Sequence, residues 1–323
     1  MTKISKALVT GGAGFIGSHI VDELIRKGIE TYVVDDLSTG SLENLGHHKH
    51  DKLLHLIVKD IRKIEEVLPD AADIDVVFHE AAIASVLRSV KEPSLVHDVN
   101  VNATLDLMNF CVKKGIKRFV FASTAAVYGT LKDTRASEKL VCKPISPYGA
   151  SKLSIENYLS AYHASYGLET VAVRYFNVYG PRQIMNDYSG VITIFTNKLL
   201  RKETPIVHGD GLQTRDFVHV KDVVQANILA MDSKNAVGQV FNVATGNSIT
   251  ILNLLETLKS ITNTEYIVPN LGPSREGDIR FGLASIDKIR TSLGFVPKIS
   301  TDKGLVGVVD FLRTKNELLK EVA

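Results

Sequence analysis

Residues 10–19, TGGAGFIGSH, constrain the fold more than any other segment of the sequence. Residues 6–10 before it are mostly apolar and β-prone, and the residues after it place apolar side chains at helical spacing. A strand that enters a helix through a turn of glycines leaves backbone N–H groups free at the positive end of the helix. The segment therefore predicts a strand–turn–helix unit with an anion site at Gly11, Gly14 and Gly17.

Short apolar strands alternate with helical patterns through the first half of the chain. Near-continuous apolar strands separated by helices are typical of a parallel sheet that is covered on both faces. Right-handed crossovers then give a doubly wound α/β sheet. The predicted strands are 7–10, 31–35, 54–58, 76–79, 118–122 and 170–174, and the predicted helices are 15–27, 62–68, 95–114 and 147–166.

After residue 178 the alternation of strands and helices becomes less regular. We predict a larger domain at 1–178, which carries the anion site, and a smaller C-terminal α/β domain at 179–323, with no Pro/Gly/Ser-rich linker between them. The two domains should therefore share a cleft. Strands near 206–208 and 240–243 and helices near 219–231, 250–260 and 303–319 follow the boundary, and helix 219–231 is a candidate for return to the first domain.

Composition excludes several classes of protein. The 323 residues carry a net charge of +2 without a dense Lys/Arg run, which argues against nucleic acid as the main partner. Cys111 and Cys142 lack the spacing of a zinc site, so no metal site is predicted. There is no signal segment and no apolar run of membrane-spanning length, which predicts a cytoplasmic protein and no membrane partner.

The glycine spacing is G-x-x-G-x-x-G, which a purely structural turn also explains. Asp35, at the end of the second predicted strand, adds a second signal, because an acidic residue about 20 residues on binds the adenosine ribose in dinucleotide sites. Asp35 and Asp36 would repel a 2′-phosphate, which favours NAD over NADP. Asp60, with Ile61, is a candidate for the adenine end and equally for a helix N-cap.

A second group of polar residues follows the fifth predicted strand. Tyr148 and Lys152 are four residues apart, so they share one face of a helix. A tyrosine that acts as a base near neutrality needs its pKa lowered by roughly three units, and a nearby ammonium or a cationic nicotinamide can supply this. One Tyr-x-x-x-Lys pair is common on exposed helices, but Thr124 stands at a strand end beside this one.

From residue 7 to about 312 the chain resembles the extended short-chain dehydrogenase/reductases, and within them the NAD-dependent sugar-nucleotide epimerases and dehydratases. The resemblance implies a Rossmann-type fold, bound NAD and a UDP-sugar substrate. The motifs that carry it are TGGAGFIGSH, VVDDLSTG (33–40), HEAA (79–82), STAAVYG (123–129), YGASK (148–152), RYFNVYGPRQ (174–183), GDGLQTRDFVHVKD (209–222) and REGD (275–278).

The resemblance implies that Tyr148 is the acid/base, that Lys152 orients the nicotinamide ribose and that Thr124 binds the reacting hydroxyl. Ala84 stands where several relatives have a polar cofactor contact. The residues predicted to hold the cofactor are Gly11, Gly14, Phe15, Ile16, Gly17, Asp35, Asp36, Asp60, Ile61, Ala81, Ala82, Asn100, Tyr148, Lys152 and Tyr175. Those predicted to hold the substrate are Ser85, Thr124, Tyr148, Asn177, Arg215, Arg275, Asp278 and Gly282.

The resemblance also narrows the reaction. Similar dehydratases carry Asp-Glu directly after the threonine, where this chain has Ala125 and Ala126, which cannot transfer protons. Relatives that act on uronic acids often carry threonine at the position of Asn177. The implied activity is NAD-dependent 4-epimerisation of a UDP-hexose through a transient 4-keto sugar. A UDP-glucuronate 4-epimerase, a dehydratase, a reductase and a non-catalytic NAD-sensing protein remain as alternatives.

Two further expectations come from the resemblance. In the epimerases the position of Gly282 looks onto the C2 substituent of the sugar, so a glycine there favours UDP-GlcNAc/UDP-GalNAc as well as UDP-glucose/UDP-galactose. A glycine needed for a backbone bend is the competing explanation. Family members commonly dimerise through two helices of each subunit, here 95–114 and 147–166, although the outward apolar residues of these helices could equally belong to the core.

Overall fold

The computed structural model describes residues 4–68, 73–131, 135–183, 190–274 and 280–322. The strands are β1 Lys6–Thr10, β2 Glu30–Asp35, β3 Leu54–Val58, β4 Val76–His79, β5 Arg118–Thr124, β6 Glu169–Tyr175, β7 Asn177–Tyr179, β8 Ile206–His208, β9 Thr214–Arg215, β10 Phe217–His219, β11 Gln239–Val243, β12 Ile249–Thr250 and β13 Asn270–Gly272.

The α-helices are α1 Phe15–Arg26, α2 Ile64–Val67, α3 Val86–Lys91, α4 Pro93–His97, α5 Ala103–Lys114, α6 Pro147–Tyr166, α7 Val191–Leu200, α8 Val220–Asp232, α9 Ile251–Thr262, α10 Asp287–Leu293 and α11 Thr301–Val322. Short 3-10 helices span Leu42–His48, Ile61–Lys63, Ala125–Tyr128 and Lys234–Ala236. None of the helices in the described residues is long and apolar enough to cross a membrane.

The main sheet has seven parallel strands in the order β11-β6-β5-β4-β1-β2-β3. Alternate residues of each strand enter different cores, as Val9 does on the face of α1 and α8, and Leu8 on the face of α5 and α6. This matches the predicted doubly wound α/β sheet. The strand order reverses between β1 and β4, and ligands bind at such a reversal, beyond the carboxyl ends of the strands.

Two details of the elements differ from the sequence prediction. The strand predicted at 240–243 lies in the main sheet as β11, parallel to β6, rather than in the C-terminal part. The single helix predicted over 95–114 is divided, because a π-helical turn at Asp98–Asn102 separates α4 from α5. A short apolar strand does not reveal which strand it pairs with. A single π-turn only adds about one residue to an otherwise continuous helical pattern, so the pattern reads as one helix.

The C-terminal part has a core of its own, built from α7, α9, α11 and the short strands β8 and β10. Three separate two-stranded sheets, β7–β10, β9–β12 and β8–β13, accompany this core. Helix α8 packs with α1 on one face of the main sheet. The domain boundary at residue 178, with helix 219–231 as a candidate for return to the first domain, stays a prediction.

Candidate functional site

The glycine turn between β1 and α1 is packed so closely that side chains would collide there. A Cβ on Gly17 would overlap the carbonyl oxygen of Gly11, and a Cβ on Gly11 would lie 2.7 Å from the backbone nitrogen of Ala81. In the described chain, no side chain caps the start of α1 and no acidic residue occupies its first turn. The positive end of the helix is therefore available to an anionic group.

A cavity of about 410 Å³ opens at this turn, along the carboxyl edge of β1, β2 and β4. Its size and its uncapped helix end fit the pyrophosphate of a dinucleotide. The structure brings together on its wall most of the predicted cofactor residues, namely Gly11, Gly14, Phe15, Ile16, Gly17, Asp35, Asp36, Asp60, Ile61, Ala81 and Ala82, and also Ala84.

Asp35 both secures the glycine turn and faces the cavity. Its carboxylate oxygens accept the N–H groups of Ala13 at 2.9 Å and of Leu37 at 2.8 Å. Burial raises the pKa of Asp35, and these turn hydrogen bonds oppose the rise. Each oxygen has a second lone pair, so the carboxylate can also accept ribose hydroxyls. Asp36 accepts the N–H of Ser38 at 2.9 Å.

Asp60 has the N-cap role that its position after a strand suggested. Its Oδ1 accepts the N–H of Arg62 at 2.9 Å, and the Arg62 guanidinium binds both carboxylate oxygens. This hydrogen bonding by Arg62 lowers the pKa of Asp60. The adenine role remains a proposal for the same residue, since Asp60 and Ile61 also line the cavity.

Thr124, Tyr148 and Lys152 meet at the carboxyl end of β5. Helix α6 begins at Pro147 after Ser146, whose hydroxyl caps the helix by accepting the N–H of Gly149 at 3.1 Å. This start places Tyr148 in the first turn of α6, where its buried phenol lies near the side chain of Thr124. One turn later, Lys152 Nζ donates to the carbonyl oxygen of Ala122 at 2.8 Å.

Burial changes the proton affinity of both groups on α6. It raises the pKa of Tyr148 to about 12, and the neighbouring Thr124 hydroxyl opposes the rise. It also lowers the pKa of Lys152 to about 8, and the nearby Glu80 opposes that fall. The Lys152 ammonium is directed at Ala122 rather than at the phenol. The expectation that Lys152 lowers the pKa of Tyr148 is therefore not met by the protein alone.

Tyr175 lies behind the cavity wall and reaches it through Glu80. Its hydroxyl donates to Glu80 Oε1 at 2.7 Å and accepts from Asn227 Nδ2 at 2.8 Å. Glu80 itself lines the cavity. From the sequence, Glu80 was noted only as part of the HEAA motif, and its position directly after a buried strand, between His79 and Ala81, was the signal that could have identified it.

Asn100 and Ser85 have structural partners that the sequence did not reveal. The buried Asn100 accepts the N–H of Ile83 at 2.8 Å and donates to Ile83 O at 3.1 Å and to Ser151 Oγ at 3.2 Å. It therefore fixes the cavity loop from behind rather than lining it. Ser85 caps α3, with its Oγ accepting the N–H of Arg88 at 2.9 Å.

A second cavity, of about 470 Å³, is lined by residues of β7, β8, β9, β10, α7 and α9. Asn177 and Arg215, two of the predicted substrate residues, both line it. Gln183 lines both this cavity and the cofactor cavity, so the two are neighbours. Arg275 and Asp278, which were also predicted to bind the substrate, lie outside the described residues.

Gly282 is packed against the backbone of β9. A Cβ at this position would lie 2.9 Å from Thr214 O and 3.4 Å from Arg215 Cδ. Its N–H donates to Thr214 Oγ1 at 3.3 Å. This close approach accounts for the glycine, in line with the competing explanation of a backbone requirement. The small residue alone therefore does not argue for space beside the sugar.

Arg182, which was not predicted as a site residue, lines the cofactor cavity. Its guanidinium pairs with Asp22 at 2.8 Å. The Asp22 carboxylate also contacts His47 Nε2 at 2.9 Å and His48 Nε2 at 3.1 Å. Asp22, His47 and His48 thus form a cluster of side chains of the types that can bind a metal. Because Asp22 already neutralises a guanidinium, we interpret the group as the support that holds Arg182 at the cavity.

Three features together are typical of a dinucleotide-dependent enzyme with a doubly wound sheet. They are the sheet itself, the uncapped start of α1 and the Thr124–Tyr148–Lys152 group. The sequence model of the NAD dependent epimerase/dehydratase family matches residues 7–244. The chain belongs to this family.

Several known proteins are similar over nearly the whole chain. The UDP-glucose 4-epimerase of Mycolicibacterium smegmatis is 36% identical, with 97% of this chain and 100% of that protein covered. The structure of UDP-glucose 4-epimerase with UDP-glucose from Thermotoga maritima is 40% identical, with a TM-score of 0.90 and 96% and 99% of the two chains covered. The UDP-N-acetylglucosamine 4-epimerase from Methanobrevibacter ruminantium, in complex with UDP-N-acetylmuramic acid, is 39% identical, with a TM-score of 0.90 and 97% and 100% covered.

The position of Asn100 predicts that Asn100→Ala weakens NAD binding without removing a cavity-lining side chain. The substitution leaves the N–H and carbonyl of Ile83 without their partner, and such a loss costs about 1–3 kcal/mol. We expect an increase of about tenfold in the Kd for NAD, measured by calorimetry. Asn102→Ala is the control, since Asn102 is exposed and its amide donates to Asp98 at 3.2 Å, away from the cavity loop. An equal increase in both variants would contradict this role.

Proposed function

We propose that this protein catalyses the NAD-dependent 4-epimerisation of a UDP-hexose, with UDP-glucose and UDP-galactose as substrates. The observation that carries the proposal is that Tyr148 lies near Thr124, and that both Tyr148 and Lys152 lie near Glu80, which lines the cofactor cavity. The similarity to UDP-glucose 4-epimerases over almost the full chain supports the same reaction. Ala125 and Ala126 follow Thr124 and have no proton to transfer, which disfavours a dehydratase.

Each residue of the site has a part in this reaction. When bound, NAD supplies a reversible hydride acceptor for the carbon that bears the reacting hydroxyl. Thr124 hydrogen-bonds the C4 hydroxyl, and Tyr148 accepts its proton and later returns it to the 4-keto sugar. Lys152 orients the nicotinamide ribose. The uncapped start of α1, with Gly14 and Gly17, binds the pyrophosphate.

Binding energy from the nucleotide allows the sugar to turn without leaving the protein. In this proposal Asn177 and Arg215 hold the diphosphate from the second cavity, together with Arg275, while Asp278 contacts the ribose. An arginine fork is well suited to a diphosphate. The 4-keto sugar then presents its opposite face to the cofactor, which inverts C4. Contacts remote from the reacting atoms thus position the sugar for both half-reactions.

Tyr148→Phe tests the acid/base role. The variant keeps the ring but loses the proton-accepting oxygen, so we expect at least a ~100-fold loss in kcat for epimerisation of UDP-galactose, with NAD still bound. Product formation is followed by NMR. Tyr266→Phe is a matched control, because this tyrosine is exposed and lies outside the proposed site and dimer surface. Near-normal epimerisation by Tyr148→Phe would refute the proposed mechanism.

We propose that UDP-GlcNAc and UDP-GalNAc are also substrates. The support is the similarity to the UDP-N-acetylglucosamine 4-epimerase at 39% identity, and no longer the size of Gly282, which the close backbone packing explains.

Two explanations for the glycine at 282 are close backbone packing and space for the C2 substituent of the sugar. Gly282→Ala distinguishes between them. The added methyl group would press on Thr214 O and displace β9, which carries Arg215. Because both substrate pairs share the diphosphate, we expect kcat/KM to fall by about tenfold or more for both, and by similar factors. Gly307→Ala is the control, since a Cβ there meets no atom within 4 Å in the described structure. Selective loss of the acetylated pair would restore Gly282 as the residue that selects the C2 substituent.

We further propose a cytoplasmic homodimer that forms through α4–α5 and α6. Val112 of α5 and Tyr158 and Tyr166 of α6 expose large side chains, of which Tyr166 is 60% exposed. Tyr162 of α6 hydrogen-bonds with Asn109 of α5 at 2.6 Å, which keeps the two helices together as one surface. Light scattering should give twice the chain mass, and replacing Tyr158 and Tyr166 by lysine should give the monomer. A monomeric parent protein would contradict this assembly.

A further inference from the structure

The carboxyl group of Glu80 lies where the cofactor cavity meets the Tyr148–Lys152 pair. Glu80 directly follows β4, and its N–H donates to Thr10 O at 3.1 Å, which extends the pairing with β1 by one residue. It is half-buried and lines the cavity. The mechanism above gives Glu80 no part, although it is an ionisable group in the wall of the cofactor site.

Groups from three other elements face this carboxyl. Tyr175 of β6 donates its hydroxyl proton to Glu80 Oε1 at 2.7 Å, and Asn227 of α8 fixes that direction by donating to the Tyr175 oxygen at 2.8 Å. Tyr148 and Lys152 of α6 are near enough for their charges to interact with Glu80. The carboxyl is therefore held as an acceptor in a fixed position, with the Lys152 ammonium as its cationic neighbour.

The charge of Glu80 changes near neutral pH. Burial raises the pKa of Glu80 to about 7, while the hydrogen bond from Tyr175 and the charge of Lys152 oppose the rise. The carboxyl is thus neutral at pH 5 and ionised at pH 9. A charge in a partly water-excluded cavity acts more strongly on its neighbours than a charge in bulk water.

We propose that Glu80 determines which redox form of the cofactor the protein prefers, by placing a negative charge in the cavity wall near Tyr148 and Lys152. The proposal rests on the proposed function, which assigns the nicotinamide ribose to Lys152. The nicotinamide ring is cationic when oxidised and neutral when reduced, so a carboxylate there stabilises the oxidised form selectively. The same preference favours return of the hydride to the 4-keto sugar over release of a reduced cofactor.

Glu80→Gln tests the proposal through binding rather than through turnover. The purified protein is equilibrated at pH 8 with defined mixtures of NAD and NADH, and the bound ratio is determined by chromatography after the cofactor is released. We expect the preference for NAD over NADH to fall by about tenfold, because the amide keeps the hydrogen bond from Tyr175 but has no charge. Glu80→Asp, which keeps the charge, should retain most of the preference.

Asp60→Asn is the matched control. Asp60 lies in the wall of the same cavity, but it follows β3, from which β4 is separated by β2 and β1. Removing its charge should change the affinities for NAD and NADH by the same factor and leave their ratio unchanged. An unchanged ratio in Glu80→Gln would overturn the proposal, and so would an equal fall of the ratio in Asp60→Asn.

The pH dependence gives a second, independent measurement. The preference for NAD should rise between pH 6 and pH 8 in the parent protein, as Glu80 ionises and Lys152 begins to lose its proton. In Glu80→Gln only the part due to Lys152 should remain.

If Glu80→Gln does not fold, a preference that is flat over this range in the parent protein still overturns the proposal. If the parent protein binds neither cofactor, the proposed function fails; if it binds NAD and epimerises while the ratio is insensitive to Glu80, only this inference fails.

Discussion

A chain of hydrogen bonds through His79 connects the cofactor loop to the helices behind it. Thr104 Oγ1 donates to Asn100 O, so it accepts the proton of His79 Nε2 at 2.8 Å. On the other side of the ring, His79 Nδ1 accepts from Thr10 Oγ1 at 2.7 Å. Burial lowers the pKa of His79 to about 3, so the ring is neutral. Each hydrogen bond of the chain therefore has one defined donor and one defined acceptor.

This chain fixes the place where the sheet opens. Thr10 Oγ1 also accepts the N–H of Ala81 at 3.3 Å, so the loop after β4 is tied to the end of β1. The strand order reverses between these two strands. The uncapped end of α1 and the loop that carries Glu80 therefore face each other across the crevice. Fully satisfied buried polar networks of this kind hold one arrangement, because any broken member leaves an unpaired polar group.

A buried ion pair fixes the carboxyl end of β5 in the same way. Glu156 of α6 binds the Arg174 guanidinium at 2.9 and 2.6 Å, and it accepts from Ser123 Oγ at 2.5 Å. Ser123 immediately precedes Thr124, so the pair fixes α6 against the strand end and sets Tyr148 beside Thr124. Breaking such a pair costs about 3–5 kcal/mol, since one buried charge is left without a partner.

The sequence was sufficient for the strands of the main sheet up to β6 and for the glycine turn, since both depend on local pattern. It was also sufficient to bring Thr124, Tyr148 and Lys152 together, because the resemblance supplied the tertiary contact. The sequence could not show whether Asn100 lines the cofactor cavity or supports its loop from behind. It also could not reveal that Gly282 packs against the backbone of β9. The placement of β11 and the charge of Glu80 depend on neighbours far away in the sequence, which a pattern in one segment does not contain.

Burial raises the pKa of Tyr148 and lowers the pKa of Lys152, and both shifts have the same cause. A water-poor site disfavours charge, so the phenol retains its proton to higher pH and the ammonium loses its proton at lower pH. Near neutrality the phenol is protonated and Lys152 is mostly charged, with its ammonium directed at Ala122 O. In the proposed reaction Tyr148 therefore needs an added positive charge before it can act as a base. A bound cationic nicotinamide would supply that charge together with the hydride acceptor, and this would couple proton removal to the presence of the oxidised cofactor.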